Sequence, residues 1–167
     1  MNKLITVLEG VSDWMVKISA VILGLMTILI LTEIFLWNIF EKTTLIADEY
    51  SAYGLAAIIF MGAGYCLKEK GHIRITLVLT FLPDRIARVI TCLATGITFI
   101  FMSYLWWYLF KMVNATWRYN STSGTLTNTP LWVPQTVMLI GAAAFTCQLL
   151  ATVIKTFHAV QTGEEVV

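Results

Sequence analysis

The chain has 167 residues, of which 58% are hydrophobic and only 13% charged, with a formal net charge of +1. A soluble domain carries about 25% charge, so this composition excludes an ordinary water-soluble fold and points to a bilayer. The near-neutral balance argues against a nucleic-acid partner, and Cys66, Cys92 and Cys147, an odd number with no CxxC spacing, read as small hydrophobes.

Leu4, Leu8, Val11, Met15 and Ile18 recur at helical spacing opposite Lys3, Glu9, Ser12, Asp13 and Lys17. That pattern fits an interfacial helix over 1–17, and it fits the start of the first span equally well. A helix crossing a hydrocarbon core of ~30 Å needs about 20 apolar residues, and Ile18 to Phe40 meets the test, broken only by Glu33 and Asn38. The stretch is too long for a signal-peptide core and has no small-residue cleavage site after it, so it is expected to stay in the protein.

A carboxylate within a span costs ~2.5–3.5 kcal/mol on insertion scales, so Glu33 should face a bundle interior or mark an ion path. Two readings stay open. Glu33 is a proton-coupling carboxylate, or it is a structural acid bonded to a neighbouring helix or subunit.

Asp48 and Glu49 open the second span, 50–67, where the positive end of the helix dipole favours acids. They are candidates for capping or for partner contact. Beyond that span Lys68, Lys70, His72 and Arg74 form a basic group suited to headgroups. The apolar stretch 73–82 that follows is too short to cross, and it is expected to form a horizontal interfacial helix.

The third span, 89–110, closes in Tyr104, Trp106, Trp107 and Tyr108, the kind of aromatic belt found at headgroup level. From Lys111 to Leu131 the chain is rich in Ser, Thr and Asn, and is read as a loop. Lys111 and Arg118 in it, like the 41–48 segment, are candidates for docking a soluble protein. Pro130 precedes the fourth span, 133–154, and Pro134 sits in its first turn, where a missing N–H matters little. Small residues crowd the second and fourth spans, Gly62-Ala63-Gly64 and Gly141 to Ala144 among them, which predicts close helix approach.

Eight of the 11 Lys and Arg residues fall in the N-terminal segment, the 68–88 connection and the tail. By the positive-inside rule both termini are then cytoplasmic. The expectation is one all-α membrane domain over 1–167, with four transmembrane helices plus interfacial helical segments. His72 and His158 are isolated, no nucleophile has a base at useful spacing, and no metal-ligand pattern occurs. No catalytic, substrate or metal residue and no cofactor is therefore expected, and the chain is not read as an enzyme. Three spans lack charge and no internal repeat is evident, so an accessory subunit fits better than a complete transporter.

Several features, taken together, resemble a known family. They are Asp48-Glu49 opening a helix, Gly62-Ala63-Gly64 with Lys68 after it, His72-Ile73-Arg74, the apolar stretch ending in Leu82-Pro83, and Ser123 to Pro130-Leu131-Trp132-Val133-Pro134. Their order resembles the DctQ-like small membrane subunit of TRAP (tripartite ATP-independent periplasmic) transporters, from the first span to the fourth. The resemblance implies a bacterial inner-membrane scaffold subunit working with a large permease subunit and a periplasmic substrate-binding protein. It also implies uptake of an organic acid driven by an ion gradient, usually sodium, with sialic acid favoured over a C4-dicarboxylate. By position it implies structural or partner roles for Asp48, Glu49, His72, Arg74 and Pro130. Trp37 stands where many relatives have Arg, and Thr76 where they have an acid, so an ion pair between those charges is not carried over. The alternative is a self-sufficient small proton-coupled transporter of the multidrug type, with Glu33 from two or more copies lining its path.

Overall fold

The computed structural model describes residues 2–69 and 83–162. These residues form four helices: α1 (Asn2–Phe40), α2 (Ala47–Lys68), α3 (Asp84–Arg118) and α4 (Trp132–Thr162). Each contains one expected span, and each is long and apolar enough to cross a membrane. The expected all-α fold is therefore what the chain adopts. Segment 73–82, with His72 and Arg74 beside it, lies outside the described residues.

Segment 1–17 is not a separate element from Asn2 onward, since α1 runs unbroken for 39 residues, about 58 Å at 1.5 Å per residue. Its packed face alternates by threes and fours through Ser12, Ser19, Ile22, Met26, Leu29 and Glu33, all buried or half-buried. The opposite stripe, from Trp14 through Val21, Leu25 and Ile28 to Phe35, is exposed. Glu33 thus stands on the protein-facing side of α1.

Most hydroxyls inside the spans are satisfied locally, Ser19 instead donating to Ile58 O of α2 at 3.3 Å. Thr27, Thr32, Thr91, Thr95, Thr98, Ser103, Thr136 and Thr146 each donate to the carbonyl four residues back. With no water in hydrocarbon to bond them, this back-bonding lets polar side chains stay in a span without a partner helix.

The packing order is α1 on α2, α2 on α4 and α4 on α3, with a smaller contact between α1 and α4. The core lies along α2 and α4. Ala142 and Ala151 are fully buried, as is nearly all of Leu149, and Ala57 and Met61 of α2 pack close by. Small residues make this possible, as the composition predicted. A Cβ on Gly141 would fall 2.8 Å from the Phe60 carbonyl carbon and 2.9 Å from Met61 N, so the two backbones touch there. Gly64 likewise faces Phe145 Cα, at 3.7 Å from its notional Cβ.

The loop read as 111–131 begins later. Lys111 to Arg118 contains no Gly or Pro, and α3 continues through it to Arg118; hydropathy marked the end of the apolar stretch and not the end of the helix. The stop is Asn120, with φ 47°. Its N–H bonds Trp117 O at 3.3 Å, and Ser121 N–H bonds Thr116 O at 3.1 Å, closing the carbonyls of the last turn as a left-handed cap does.

The substitution Gly141→Ala is expected to destabilise the chain by about 1–3 kcal/mol, because backbone cannot move aside as a flexible side chain would. Gly24→Ala, with nothing within 4 Å of the new methyl, should leave stability unchanged or raise it by up to about 1 kcal/mol. Reversible unfolding of the two variants in mixed detergent micelles measures the difference.

Candidate functional site

At the end of the bundle that carries the 41–46 and 119–131 loops, two carboxylates organise the connections. Met26 packs against Gly54, and this antiparallel register brings Glu33 level with Ala47, the first residue of α2. Glu33 is therefore at a helix end and not in the middle of the bundle. Its Oε1 accepts from the Thr43 hydroxyl and from Thr44 N–H at 2.9 Å, and its Oε2 accepts from the Thr44 hydroxyl.

The loop so held is strained. Glu41 (φ 50°) and Leu45 (φ 57°) both occupy the left-handed region, which costs a non-glycine residue about 1–2 kcal/mol. Glu41 N–H bonds Trp37 O at 3.1 Å and ends α1, and Leu45 N–H bonds Thr43 Oγ1 at 3.1 Å. Thr43 and Thr44 sit between the two strained residues, so the Glu33 hydrogen bonds fix the loop where it most resists. Asp48 is exposed and joins Glu33, Trp37 and Asn38 around a shallow recess of about 270 Å³.

Glu49 does for the second loop what Glu33 does for the first. It lies in the first turn of α2 with Asp48, where the helix dipole favours acids. Its Oε1 accepts from Tyr53 OH at 2.8 Å, and its Oε2 accepts from the Thr125 and Thr127 hydroxyls. Ser123 N–H bonds Thr129 O at 2.9 Å, and Thr129 N–H bonds Ser123 Oγ at 3.0 Å, closing a small hairpin around Asn128. Pro130 pairs with Thr122 across its base, and its carbonyl accepts from Val133 N–H at 3.1 Å as α4 begins.

The structure thus brings Glu33, Asp48, Glu49 and Pro130 to one end of the molecule. Sequence alone did not point to their partners Thr43, Thr44, Thr125 and Thr127. A signal was present for the last two: Ser123, Thr125, Thr127 and Thr129 alternate at period two, which puts their side chains on one face of an extended segment. Lys111 and Arg118 are helical. Lys111 lies with its Nζ 5.5 Å from the Trp107 ring and 5.4 Å from the Tyr108 ring, a snorkelling cation over an aromatic belt.

The opposite end has its own polar set. Lys68 pairs with Asp13 and Lys155 with Glu9, both at 2.5 Å, and Ser12 donates to the buried Gln148 Oε1 at 3.1 Å. These bonds tie the N-terminal part of α1 to α2 and α4. Between the two ends a groove of about 440 Å³ runs among α1, α2 and α4, with Ile22, Met26, Gly54 and Val137 in its walls. Polar groups reach it only through Tyr50, Tyr53 and Thr129 near the loop end.

The model of one protein family, described as tripartite ATP-independent periplasmic transporters, DctQ component, matches residues 26–159. No curated protein and no solved structure matches the chain.

Removing the Glu49 carboxylate, as in Glu49→Ala, is expected to loosen 119–131 while leaving the helices intact. Amide hydrogen exchange at Thr125, Thr127 and Thr129 should accelerate several-fold, with α2 and α4 unchanged. Adding Thr125→Val and Thr127→Val to that variant should accelerate exchange further, because Thr125 also bonds Ser123 and Thr127, and Thr127 also accepts from Thr129.

Proposed function

The chain belongs to the DctQ family, the small membrane component of tripartite ATP-independent periplasmic transporters, and we propose that it is the static scaffold subunit of such a system. In this reading it holds a large permease subunit in the inner membrane and offers its loop end to a periplasmic substrate-binding protein, with both termini cytoplasmic. The permease then carries the substrate and ion sites. The cargo is an organic acid moved by a sodium gradient, with sialic acid the first substrate to test and a C4-dicarboxylate the second.

One observation carries the proposal: among the described residues, the charged clusters and the span hydroxyls are engaged in holding the chain together, and the buried side-chain atoms left without a partner are Trp106 Nε1 and Gln135 Oε1. Threonines such as Thr27, Thr91 and Thr146 bond their own helices, Ser19 donates to Ile58 O of α2, and charged clusters sit at the two ends. The self-sufficient proton-coupled alternative is not favoured, since Glu33 is engaged by Thr43 and Thr44 at a helix end. A relay needs successive groups at depth.

Purified chain in liposomes is expected to show no gradient-driven uptake of either acid, and co-expression with the permease of the same system should yield a stable complex. Uptake by the chain alone would overturn the scaffold reading. The substitution Glu33→Gln should reduce recovery of the complex and leave ion coupling unchanged in whatever complex forms.

Lys111→Glu or Arg118→Glu should raise the binding-protein concentration needed for half-maximal uptake several-fold without changing the maximal rate, because lost charge complementarity acts on encounter. Unchanged half-saturation for both variants removes this end of α3 from the docking surface.

A further inference from the structure

The groove among α1, α2 and α4 is limited in depth, and its limits restrict what can fill it. Along α2, Glu49 to Lys68 covers about 28 Å, close to the ~30 Å of a hydrocarbon core. Glu49 with its hydroxyls marks one end of this stretch, and Lys68 paired with Asp13 marks the other. The groove starts at the Glu49 end, with Tyr50, Tyr53 and Thr129 at its mouth. It ends at Ala57 and Val137, about 12 Å along α2 from Glu49. One leaflet of the core is about 15 Å deep, so the groove covers most of the leaflet on the loop side and stops near the midplane.

Beyond Ala57 the bundle closes. Ser19 of α1 donates to Ile58 O, Gly141 of α4 lies on the Phe60–Met61 backbone, and Ser12 donates to the buried Gln148 at 3.1 Å. α1 and α4 therefore meet over α2 in one half of the span and part in the other, leaving a wedge. A transmembrane helix is about 10–12 Å across and runs through both leaflets, so a wedge shut from the midplane onward cannot seat one along its length. An acyl chain of a single leaflet ends where the wedge ends. Leu25, Tyr50 and Val133 in its walls are exposed, which opens the groove sideways to lipid, and Gly54 and Ala57 leave room at its floor. None of the residues lining it is charged, and a slot left unfilled in hydrocarbon forfeits the dispersion contacts of its walls.

We propose that this groove seats one acyl chain of a phosphatidylethanolamine molecule from the loop-side leaflet, with the ammonium group of the lipid held at the mouth. The choice of headgroup follows from charge. Asp48 and Glu49 lie in the first turn of α2 beside the mouth, and among the described residues neither takes part in an ion pair. Tyr53, which donates to Glu49, lines the mouth, and the Tyr50 and Thr129 hydroxyl oxygens stand 3.4 Å apart there. An ethanolamine ammonium brings three N–H donors to these oxygens and a positive charge to the acids, the combination that makes charge-assisted hydrogen bonds. A phosphatidylglycerol headgroup has no positive charge to set against its phosphate, and no cation lines the groove to receive that phosphate.

The test uses the full chain, purified in a non-ionic detergent and given an equimolar mixture of phosphatidylethanolamine and phosphatidylglycerol, with retained lipid read by native mass spectrometry. One phosphatidylethanolamine per chain is expected, in several-fold excess over phosphatidylglycerol. Val137→Phe fills the inner end of the groove and should cut that retention several-fold, whereas Ile97→Phe, on the exposed face of α3, should leave it unchanged. Should Val137→Phe fail to fold, Leu25→Trp at the open rim is expected to make the same cut. Absence of bound lipid, equal retention of the two lipids, or undiminished retention in a folded groove variant overturns the proposal. A groove that instead receives a permease side chain would show itself in a Val137→Phe chain that keeps its lipid and loses the complex, and that result overturns it as well. Because lipid retention is read on the chain alone, its outcome stands apart from that of the scaffold reading.

Discussion

The constraint behind this molecule is that hydrocarbon supplies no hydrogen bonds. Every polar group in a span must find its partner within the protein, and the shortest solution is the carbonyl four residues back on the same helix. The threonines and the serine of α3 adopt it. With the threonine hydroxyls satisfied along their own helices, association between helices rests largely on shape. Gly141 against the Phe60–Met61 backbone and Gly64 against Phe145 are where α2 and α4 come closest. The charged interactions between helices lie at the ends, where Glu33 and Glu49 gather the loops and Lys68 and Lys155 hold the N-terminal part of α1, while Ser19 to Ile58 O and Ser12 to Gln148 are neutral bonds between helices.

The four spans and the close α2–α4 packing were legible in the sequence because both depend on residue type at short range. Hydropathy finds a span, and clustered Gly and Ala find a contact. The end of α3 was not legible in this way, since Lys111 to Arg118 is polar yet has nothing that breaks a helix. Only the left-handed Asn120, one of many Asn and Thr in that stretch, stops it. Glu33 stood out in sequence as a charge within a span, but the bonds it makes depend on Thr43 and Thr44 folding back ten residues later through two strained positions. The ion pairs of Asp13 and Glu9 were hidden for a different reason. Their partners lie 55 and 146 residues away in sequence, and no local pattern records such a distance.

A subunit built this way suits a supporting role. A moving transport domain needs elements with two alternative packings, whereas the backbone contact at Gly141 allows a single register. The strained 41–46 loop and the hairpin at 119–131 are each pinned by a carboxylate at the same end of α2. This end is therefore an ordered surface, held by side-chain bonds to two acids.

Surface connections in most proteins accept insertions and deletions freely, because little depends on their length. Here each connection must deliver a pair of hydroxyls to a fixed acid, Thr43 with Thr44 to Glu33 and Thr125 with Thr127 to Glu49. Adding or deleting one residue between anchor and acceptor would swing those hydroxyls to the wrong side. The spacing of both connections is thus held as tightly as the heptads of a helix, and variation should show itself in composition while residue count stays constant.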